Sequence, residues 1–149
     1  MTVIGIIGAG ECDEKTAGLA YSVGRLVAQR GAALVCGGLD GVMEAACKGA
    51  VEAGGLTIGV LPGWDRDGAN PYVKVPLVTD MGHARNVIIA HTAQGLIAIS
   101  GEYGTLSEIA ISLKLGRPVV SLGSWPGIEE LINVDTPEEA VEAIFERIV

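Results

Sequence analysis

Two glycine-rich turns carry residues suited to hold a phosphate group. One spans residues 36–41 and the other residues 100–104, and each joins a buried, strand-like run to a helix-like segment. Glycine lets the backbone approach an anion closely, and the unpaired N–H groups at a helix start bind phosphate without side-chain charge. A plain tight turn is the alternative at each position. The predicted ligand contacts in these two turns are Gly37, Gly38, Gly41, Gly101 and Gly104.

An earlier turn matches only part of the dinucleotide-binding fingerprint. Gly8 and Gly10 supply the first two glycines of GxGxxG, but Asp13 stands in place of the third. The next strand-like run ends at Cys36 instead of the acidic residue that would bind ribose, so NAD or FAD binding is disfavoured. Gly8 and Gly10 stay candidate phosphate contacts, and a simple tight turn explains them equally well.

Arg85 and Glu108 are the charged side chains with the clearest chemical potential. Arg85 falls early in a predicted helix, where the helix dipole disfavours a cation. A bound phosphate would account for it, and so would a salt bridge to one of the 18 acidic residues. Glu108 follows Thr105 at capping-box spacing, so a capping role competes with a catalytic one. His83 is a further candidate ligand contact, and no metal site is expected because the histidines lack metal-ligand spacing.

Composition excludes several functional classes. The net charge of −8 opposes binding to nucleic acid or to anionic membranes, because both are polyanions. The three cysteines, Cys12, Cys36 and Cys47, show no CxxC spacing and are predicted to be small core residues in a reducing compartment. The chain begins without a basic leader and has no uninterrupted apolar span, so a cytoplasmic protein is expected.

Strand-like and helix-like segments alternate along the chain, which predicts one Rossmann-like α/β domain over residues 1–149. Its parallel sheet should carry helices on both faces and bind ligand at the carboxyl edge. Asp40 is a predicted N-cap, Thr136 and Glu139 form a predicted capping box, and the polar loop 62–72 is a candidate lid. The predicted strands are residues 3–8, 32–36, 56–61, 73–78, 95–99 and 119–122, and the predicted helices are 14–30, 42–53, 81–93, 104–115 and 137–149.

The joint occurrence and order of these motifs resemble the LONELY GUY and molybdenum-cofactor-carrier group, whose members were often labelled lysine decarboxylases. The resemblance implies a site that cleaves the N-glycosidic bond of a nucleoside 5′-monophosphate. Arg85 would then orient the ligand, Glu108 would stabilise the sugar cation or activate water, and the last turn would cradle phosphate. The residues that carry the resemblance are Gly37, Gly38, Gly41, Met43, Arg85, Gly101, Gly104, Thr105 and Glu108.

Three departures separate the chain from the enzymes of that group, and residues 81–86 together with residues 69–72 are more similar to its carrier-like branch. Ser100, Glu102 and Asn86 replace a proline, a glycine and a lysine of the enzymes' pattern. The resemblance thus implies a protein that binds a phosphorylated nucleotide or pterin, including the molybdenum cofactor, with Asn86 among its contacts and no cofactor required for activity. The alternatives are a phosphoribohydrolase and an interaction module with a vestigial pocket. A lysine decarboxylase is excluded because no pyridoxal-phosphate lysine motif is present.

The same resemblance implies a homodimer or higher homo-oligomer. In related proteins a helix near the active site pairs across a twofold axis. Here the apolar helices predicted at 81–93 and 104–115 would supply that face, although packing against the sheet explains their apolar residues equally well.

Overall fold

A computed structural model describes residues 1–123 and 125–148, in which strands and helices alternate from the first residues onward. The strands are β1 (Val3–Gly8), β2 (Ala33–Cys36), β3 (Thr57–Leu61), β4 (Val75–Val78), β5 (Gly95–Ile99), β6 (Val119–Leu122) and β7 (Ile132–Val134). The helices are α1 (Glu14–Gln29), α2 (Val42–Glu52), α3 (Asn86–Thr92), α4 (Tyr103–Lys114) and α5 (Pro137–Arg147), with a 3₁₀ turn at Gly82–Arg85.

All seven strands lie in one parallel sheet of order β4-β3-β2-β1-β5-β6-β7. The chain moves outward from β1 to β4 and then returns to place β5 on the other side of β1. Gly8 pairs with Ile99, so β1 and β5 end at the same level. The strand order therefore reverses beside β1, and the turns that leave β1 and β5 diverge to opposite faces of the sheet, which opens a crevice.

The strand side chains alternate between two apolar layers, one on each face of the sheet. Ile4 and Ile6 pack with α1, α2 and α5, whereas Ile7 packs on the opposite face with α3 and α4. All three isoleucines are buried, and few aromatic residues are needed because aliphatic side chains fill both layers. The predicted Rossmann-like α/β fold with helices on both faces is confirmed.

The segment predicted as one helix over residues 81–93 is divided into the 3₁₀ turn and the short helix α3. Asp80 and Gly82 have positive φ angles of 52° and 57°, which turn the chain sharply just before the helix. The Gly82 N–H donates to the Pro62 carbonyl at 3.0 Å and ties this bend to the loop after β3. Arg85 therefore lies at the junction of two short helical segments, not inside a long helix.

The prediction that Asp40 caps α2 is wrong. The helix begins after Gly41, whose φ of 65° is favourable for glycine, and no side chain caps it. The first helical N–H, from Val42, donates instead to the carbonyl of Ala9 at 3.0 Å. A carbonyl from the neighbouring β1–α1 turn thus takes the place that an Asp40 carboxylate would have filled.

The capping-box interpretation of Thr105 and Glu108 is also wrong, because Thr105 would be the N-cap only of a helix that begins at residue 106, whereas α4 begins at Tyr103. Its N-cap is Glu102, so Thr105 lies inside the first turn and Glu108 inside the second. The corresponding prediction for α5 is confirmed, since the Glu139 N–H donates to Thr136 Oγ1 at 3.1 Å. Identical spacing therefore has a structural role in one helix and not in the other.

Two further predictions need correction. Cys12 is exposed, so only Cys36 and Cys47 are core cysteines, and the three-residue strand β7 was not predicted. The ends of the other predicted elements shift by no more than two residues, and the predicted end of α5 at Val149 lies outside the described residues. None of the described helices combines the length and apolarity needed to cross a bilayer.

Candidate functional site

A pocket of about 430 Å³ opens at the carboxyl edge of the sheet, where β1 and β5 diverge. Four segments form it: the turns that follow β1, β2 and β5, and the segment that joins β4 to α3. Strand order alone brings these four segments together, because they are far apart in sequence. The lining residues are Gly8, Ala9, Gly10, Glu11, Leu39, Met43, His83, Arg85, Asn86, Glu102, Gly104, Thr105 and Glu108.

Arg85 is the buried cation of this pocket, with only 8% of its surface exposed. Its Nη1 donates to Asn86 Oδ1, while Nε is buried without a hydrogen-bond partner. Among the described residues no carboxylate lies within ion-pair distance of Arg85, so the alternative of a salt bridge is not realised. A buried cation in this state is costly, and a bound anion would offset that cost.

Glu108 is the buried carboxyl group of the same pocket and is also 8% exposed. Burial raises its pKa from 4.5 to about 7, and the positive charge of Arg85 counteracts part of that shift. Burial likewise lowers the pKa of Arg85, and the charge of Glu108 opposes this. Near neutral pH the protonated and ionised forms of Glu108 are therefore both populated, the condition that suits a general acid or base.

The glycines of the three turns have two different roles. A β-carbon at Gly8 or Gly41 would lie 2.5 or 2.4 Å from a backbone oxygen, and one at Gly101 would lie 2.3 Å from Thr105 Oγ1. Those glycines are required for packing. A β-carbon at Gly10 or Gly104 would meet nothing within 4 Å, yet both residues line the pocket. At these two positions the missing side chain leaves space for a ligand.

The remaining turn glycines lie beneath or beside the pocket. Gly37 packs against Arg85, because a β-carbon there would lie 2.9 Å from Nη1. Gly38 is buried against Leu61, and Gly41 lines a neighbouring groove. The structure therefore places eight predicted site residues in the pocket itself: Gly8, Gly10, His83, Arg85, Asn86, Gly104, Thr105 and Glu108.

Five lining residues are absent from the predicted ligand contacts. Met43 and Glu102 were named only in the comparison with the family pattern, whereas sequence reasoning missed Ala9, Glu11 and Leu39 altogether. Each lies next to a predicted site glycine, so the available signal was position in the turn and not residue type. Glu11 matters for the electrostatics. With Glu102 it places two exposed carboxylates at the pocket that contains buried Arg85. The exposed carboxylates of Glu11 and Glu102 and the buried guanidinium of Arg85 favour a bound ligand whose anionic end faces Arg85.

The loop over residues 62–72 is attached to the β2–α2 turn at one end. The Asn70 N–H donates to the Gly38 carbonyl at 2.8 Å, and its side-chain amide donates to the Leu39 carbonyl at 2.9 Å. At the other end of the loop Trp64 is 79% exposed. The Asp80 N–H also donates to the Gly63 carbonyl at 2.9 Å. A lid role for this loop stays a prediction, and any closing motion would have to occur between Gly63 and Asn70.

The parallel sheet and the pocket at its point of strand reversal define a Rossmann-like α/β protein. Its sequence matches the model of the SLOG cluster4 family over residues 1–146, and the chain belongs to that family. An uncharacterized protein from Archaeoglobus fulgidus is 54% identical over 138 residues, which cover 93% of this chain and 91% of that protein.

Solved structures of molybdenum-cofactor proteins are closely similar to this fold. The molybdenum cofactor binding protein of the phototrophic bacterium Rippkaea orientalis superposes with a TM-score of 0.94 at 34% identity, covering 99% of this chain and 98% of that one. The molybdenum cofactor carrier protein of Chlamydomonas reinhardtii superposes with a TM-score of 0.89 at 34% identity, covering 98% of each chain. The resemblance to the carrier-like branch is thereby confirmed.

Proposed function

We propose that this protein binds a phosphorylated pterin or nucleotide, with the molybdenum cofactor as the first candidate, and carries it without chemical change. The observation that carries the proposal is Arg85, a buried cation without an ion-pair partner among the residues described. A phosphate supplies two or more acceptor oxygens in the geometry that a guanidinium prefers. The anion would therefore complete a site whose positive charge is already in place.

The surroundings of Arg85 support a phosphate at this position. Gly104 lies in the first turn of α4 and lines the pocket with open space beside its α-carbon. The backbone N–H groups of that turn have no helical partners and carry the positive end of the helix dipole. Asn86 holds the guanidinium through its side-chain oxygen, and Gly10 leaves the opposite wall open. Backbone donors of α4 and the Arg85 side chain line the same pocket, so both would be available to one bound anion.

The choice of ligand rests on similarity and on pocket size. The two similar proteins from Rippkaea orientalis and Chlamydomonas reinhardtii are described as binding or carrying the molybdenum cofactor. A pocket of about 430 Å³ lies in the range that small-molecule ligands occupy. Gly10 and Gly104 have no side chain, and the open space beside each would admit a flat ring system behind the phosphate.

Ligand-induced stabilisation tests this proposal directly. Molybdenum cofactor or AMP at about 100 times the dissociation constant should stabilise the fold by about 2.7 kcal/mol and raise the melting temperature by roughly 5 to 10 °C. Arg85→Ala should abolish the shift. The matched control is Arg30→Ala, which removes a cation that stacks on Phe145 away from the pocket. If neither ligand changes the melting temperature of the native sequence, the proposal is wrong.

A phosphoribohydrolase is the second candidate, favoured by the position of Glu108. Its carboxyl group, with a pKa of about 7, shares the pocket with Arg85 and could activate water or stabilise a sugar cation. The reaction would add water across the N-glycosidic bond of AMP, giving adenine and ribose 5-phosphate. Chromatography of AMP incubated with the protein decides the matter. If the protein releases adenine and Glu108→Gln abolishes the release, the protein is a phosphoribohydrolase and the carrier proposal is wrong. AMP that is bound and stays intact supports the carrier proposal.

We also propose that two copies associate through the face formed by α3 and the C-terminal end of α4. Val87 on α3 is 40% exposed, and Leu115, which follows α4, is 38% exposed. Both helices pack on the same face of the sheet, where Ile89 of α3 and Ile109 of α4 are buried. An apolar layer that is covered on one side and partly open on the other is suited to a self-complementary twofold contact.

A further inference from the structure

Two thiol groups meet directly beneath the glycine turn that supports the pocket. Cys36 is the last residue of β2, and Cys47 lies in the middle of α2. Both are fully buried, and their sulfur atoms lie 3.5 Å apart, within hydrogen-bonding reach. The neighbouring side chains in this layer are mostly aliphatic. No ligand-binding or catalytic step described above uses this pair.

The two thiols have unequal surroundings. Hydrogen bonds from the Cys36 thiol and from the Asn70 side chain lower the pKa of Cys47. The same bond to Cys47, together with burial, raises the pKa of Cys36. Burial opposes ionisation of both thiols, and these hydrogen bonds make Cys47 the one of the two that ionises more readily. A sulfenic acid condenses with a neighbouring thiol to a disulfide, and sulfur atoms 3.5 Å apart need only a short approach for that reaction.

We propose that Cys36 and Cys47 form a peroxide-reactive pair that closes to an intramolecular disulfide at the base of the ligand pocket. In the first step the Cys47 thiolate attacks hydrogen peroxide, the O–O bond breaks, hydroxide leaves and Cys47 becomes a sulfenic acid. In the second step the Cys36 sulfur attacks that sulfur, the S–O bond breaks, and the Cys36 proton leaves with the hydroxyl group as water. The two sulfurs are oxidised and one peroxide is reduced.

Disulfide formation would change the support of Arg85. The sulfur atoms must approach from 3.5 Å to bonding distance, which draws the end of β2 towards α2. Cys36 is followed by Gly37, whose α-carbon packs against the Arg85 guanidinium, and the Gly38 N–H donates to Cys36 Sγ at 3.3 Å. We therefore expect the oxidised form to bind ligand more weakly, a consequence that rests on the proposed function.

The test begins with reduced full-length protein and stoichiometric hydrogen peroxide, without ligand. Free thiols counted by alkylation under denaturing conditions should fall from three to one, and the intact mass should fall by two hydrogen atoms. The oxidised form should melt about 5 to 10 °C higher, because the cross-link restricts the unfolded chain. Cys36→Ala and Cys47→Ala should each prevent the cross-link. Cys12→Ala is the matched control and should leave it unchanged.

Three accessible thiols after peroxide treatment, or a cross-link that requires Cys12, would overturn the proposal. The affinity for AMP or molybdenum cofactor should be about tenfold weaker in the oxidised form, and dithiothreitol should restore it. Equal affinity in both redox forms would overturn the coupling to the pocket. Failure of the reduced protein to bind either ligand would count against the proposed function alone, because the thiol count and the melting shift need no ligand.

Discussion

The burial of Glu108 makes the free energy of folding depend on pH. Its pKa rises from 4.5 to about 7 on folding, so the native state binds a proton more tightly than the unfolded state does. Below pH 4.5 Glu108 is protonated in both the folded and the unfolded states, so it does not oppose folding. As the pH rises from 4.5 towards 7 the unfolded state loses this proton first, and the free energy of unfolding falls. A shift of this size corresponds to about 3 kcal/mol, reached once the pH exceeds 7.

The variant Glu108→Gln isolates this effect. Urea unfolding at a series of pH values should give a free-energy difference between variant and native protein that grows in favour of the variant between pH 4.5 and 7 and is then constant. A difference that does not change with pH would show that Glu108 titrates at its ordinary pKa. The other carboxyl groups are common to both proteins and cancel in the comparison.

Two glycines at the start of α4 should respond in opposite ways to the same substitution. Gly104→Ala adds a methyl group in open space within a helix, so stability should rise by about 0.5 to 1 kcal/mol while ligand affinity falls. Gly101→Ala forces a side chain onto a φ of 147° and into contact with Thr105, which should cost at least about 2 kcal/mol.

Thermal unfolding with and without ligand separates the two outcomes. If Gly104→Ala kept full affinity, the first turn of α4 would not be part of the ligand site. If Gly101→Ala were neutral, the packing role of that glycine would be wrong.

At the residue scale the sequence identified the important charges but left the role of Glu108 open. The unfavourable position of Arg85 near a predicted helix start indicated either a bound phosphate or a salt bridge. The structure places Arg85 buried in the pocket without an ion pair among the described residues. Glu108 could be a cap or a pocket residue, because the two interpretations differ by three residues in where α4 begins, after Thr105 or after Glu102. Helix starts depend on tertiary contacts and are not fixed by local sequence.

At the scale of elements the hydrophobic pattern was sufficient for most strands and helices. Buried aliphatic runs such as Gly95–Ile99 are unambiguous, since every residue of that strand is buried. The strand Ile132–Val134 was missed because it is only three residues long and half-exposed. The break before α3 was missed because it depends on positive φ angles at Asp80 and Gly82, which apolar periodicity does not report.

The capping box at the start of α5 gives an element-scale prediction. Thr136→Ala removes the acceptor for the Glu139 N–H and should cost about 1 kcal/mol without changing ligand affinity. Thr105 has the same spacing to an acidic residue but lines the pocket, so Thr105→Ala should weaken ligand binding. Chemical denaturation and calorimetric titration of both variants check the contrast. Loss of affinity in Thr136→Ala would contradict the separation of roles.

At the scale of the whole molecule the pocket is a consequence of strand order. Segments around residues 10, 39, 85 and 105 meet only because β5 returns beside β1 after β2, β3 and β4 have been added on the other side. The sequence predicted a parallel sheet and a ligand at its carboxyl edge, but not which turns would be neighbours. Neighbouring strands are chosen by packing of the complete sheet, which no local motif encodes.

The proposed self-association is a prediction at the scale of the whole molecule, and it concerns the face formed by α3 and the end of α4. Burial of Val87 and Leu115 against a second copy would remove apolar surface from water, and a twofold axis would let each copy supply the same patch. Light scattering after size exclusion should therefore give at least twice the monomer mass of 15.3 kDa. Val87→Lys should return the protein to monomer, because it places a charge on the proposed contact face. Val75→Lys is the matched control, since Val75 is equally exposed at 39% but lies on the edge strand β4. A monomeric native protein, or dissociation caused by Val75→Lys and not by Val87→Lys, would show that the proposed face is wrong.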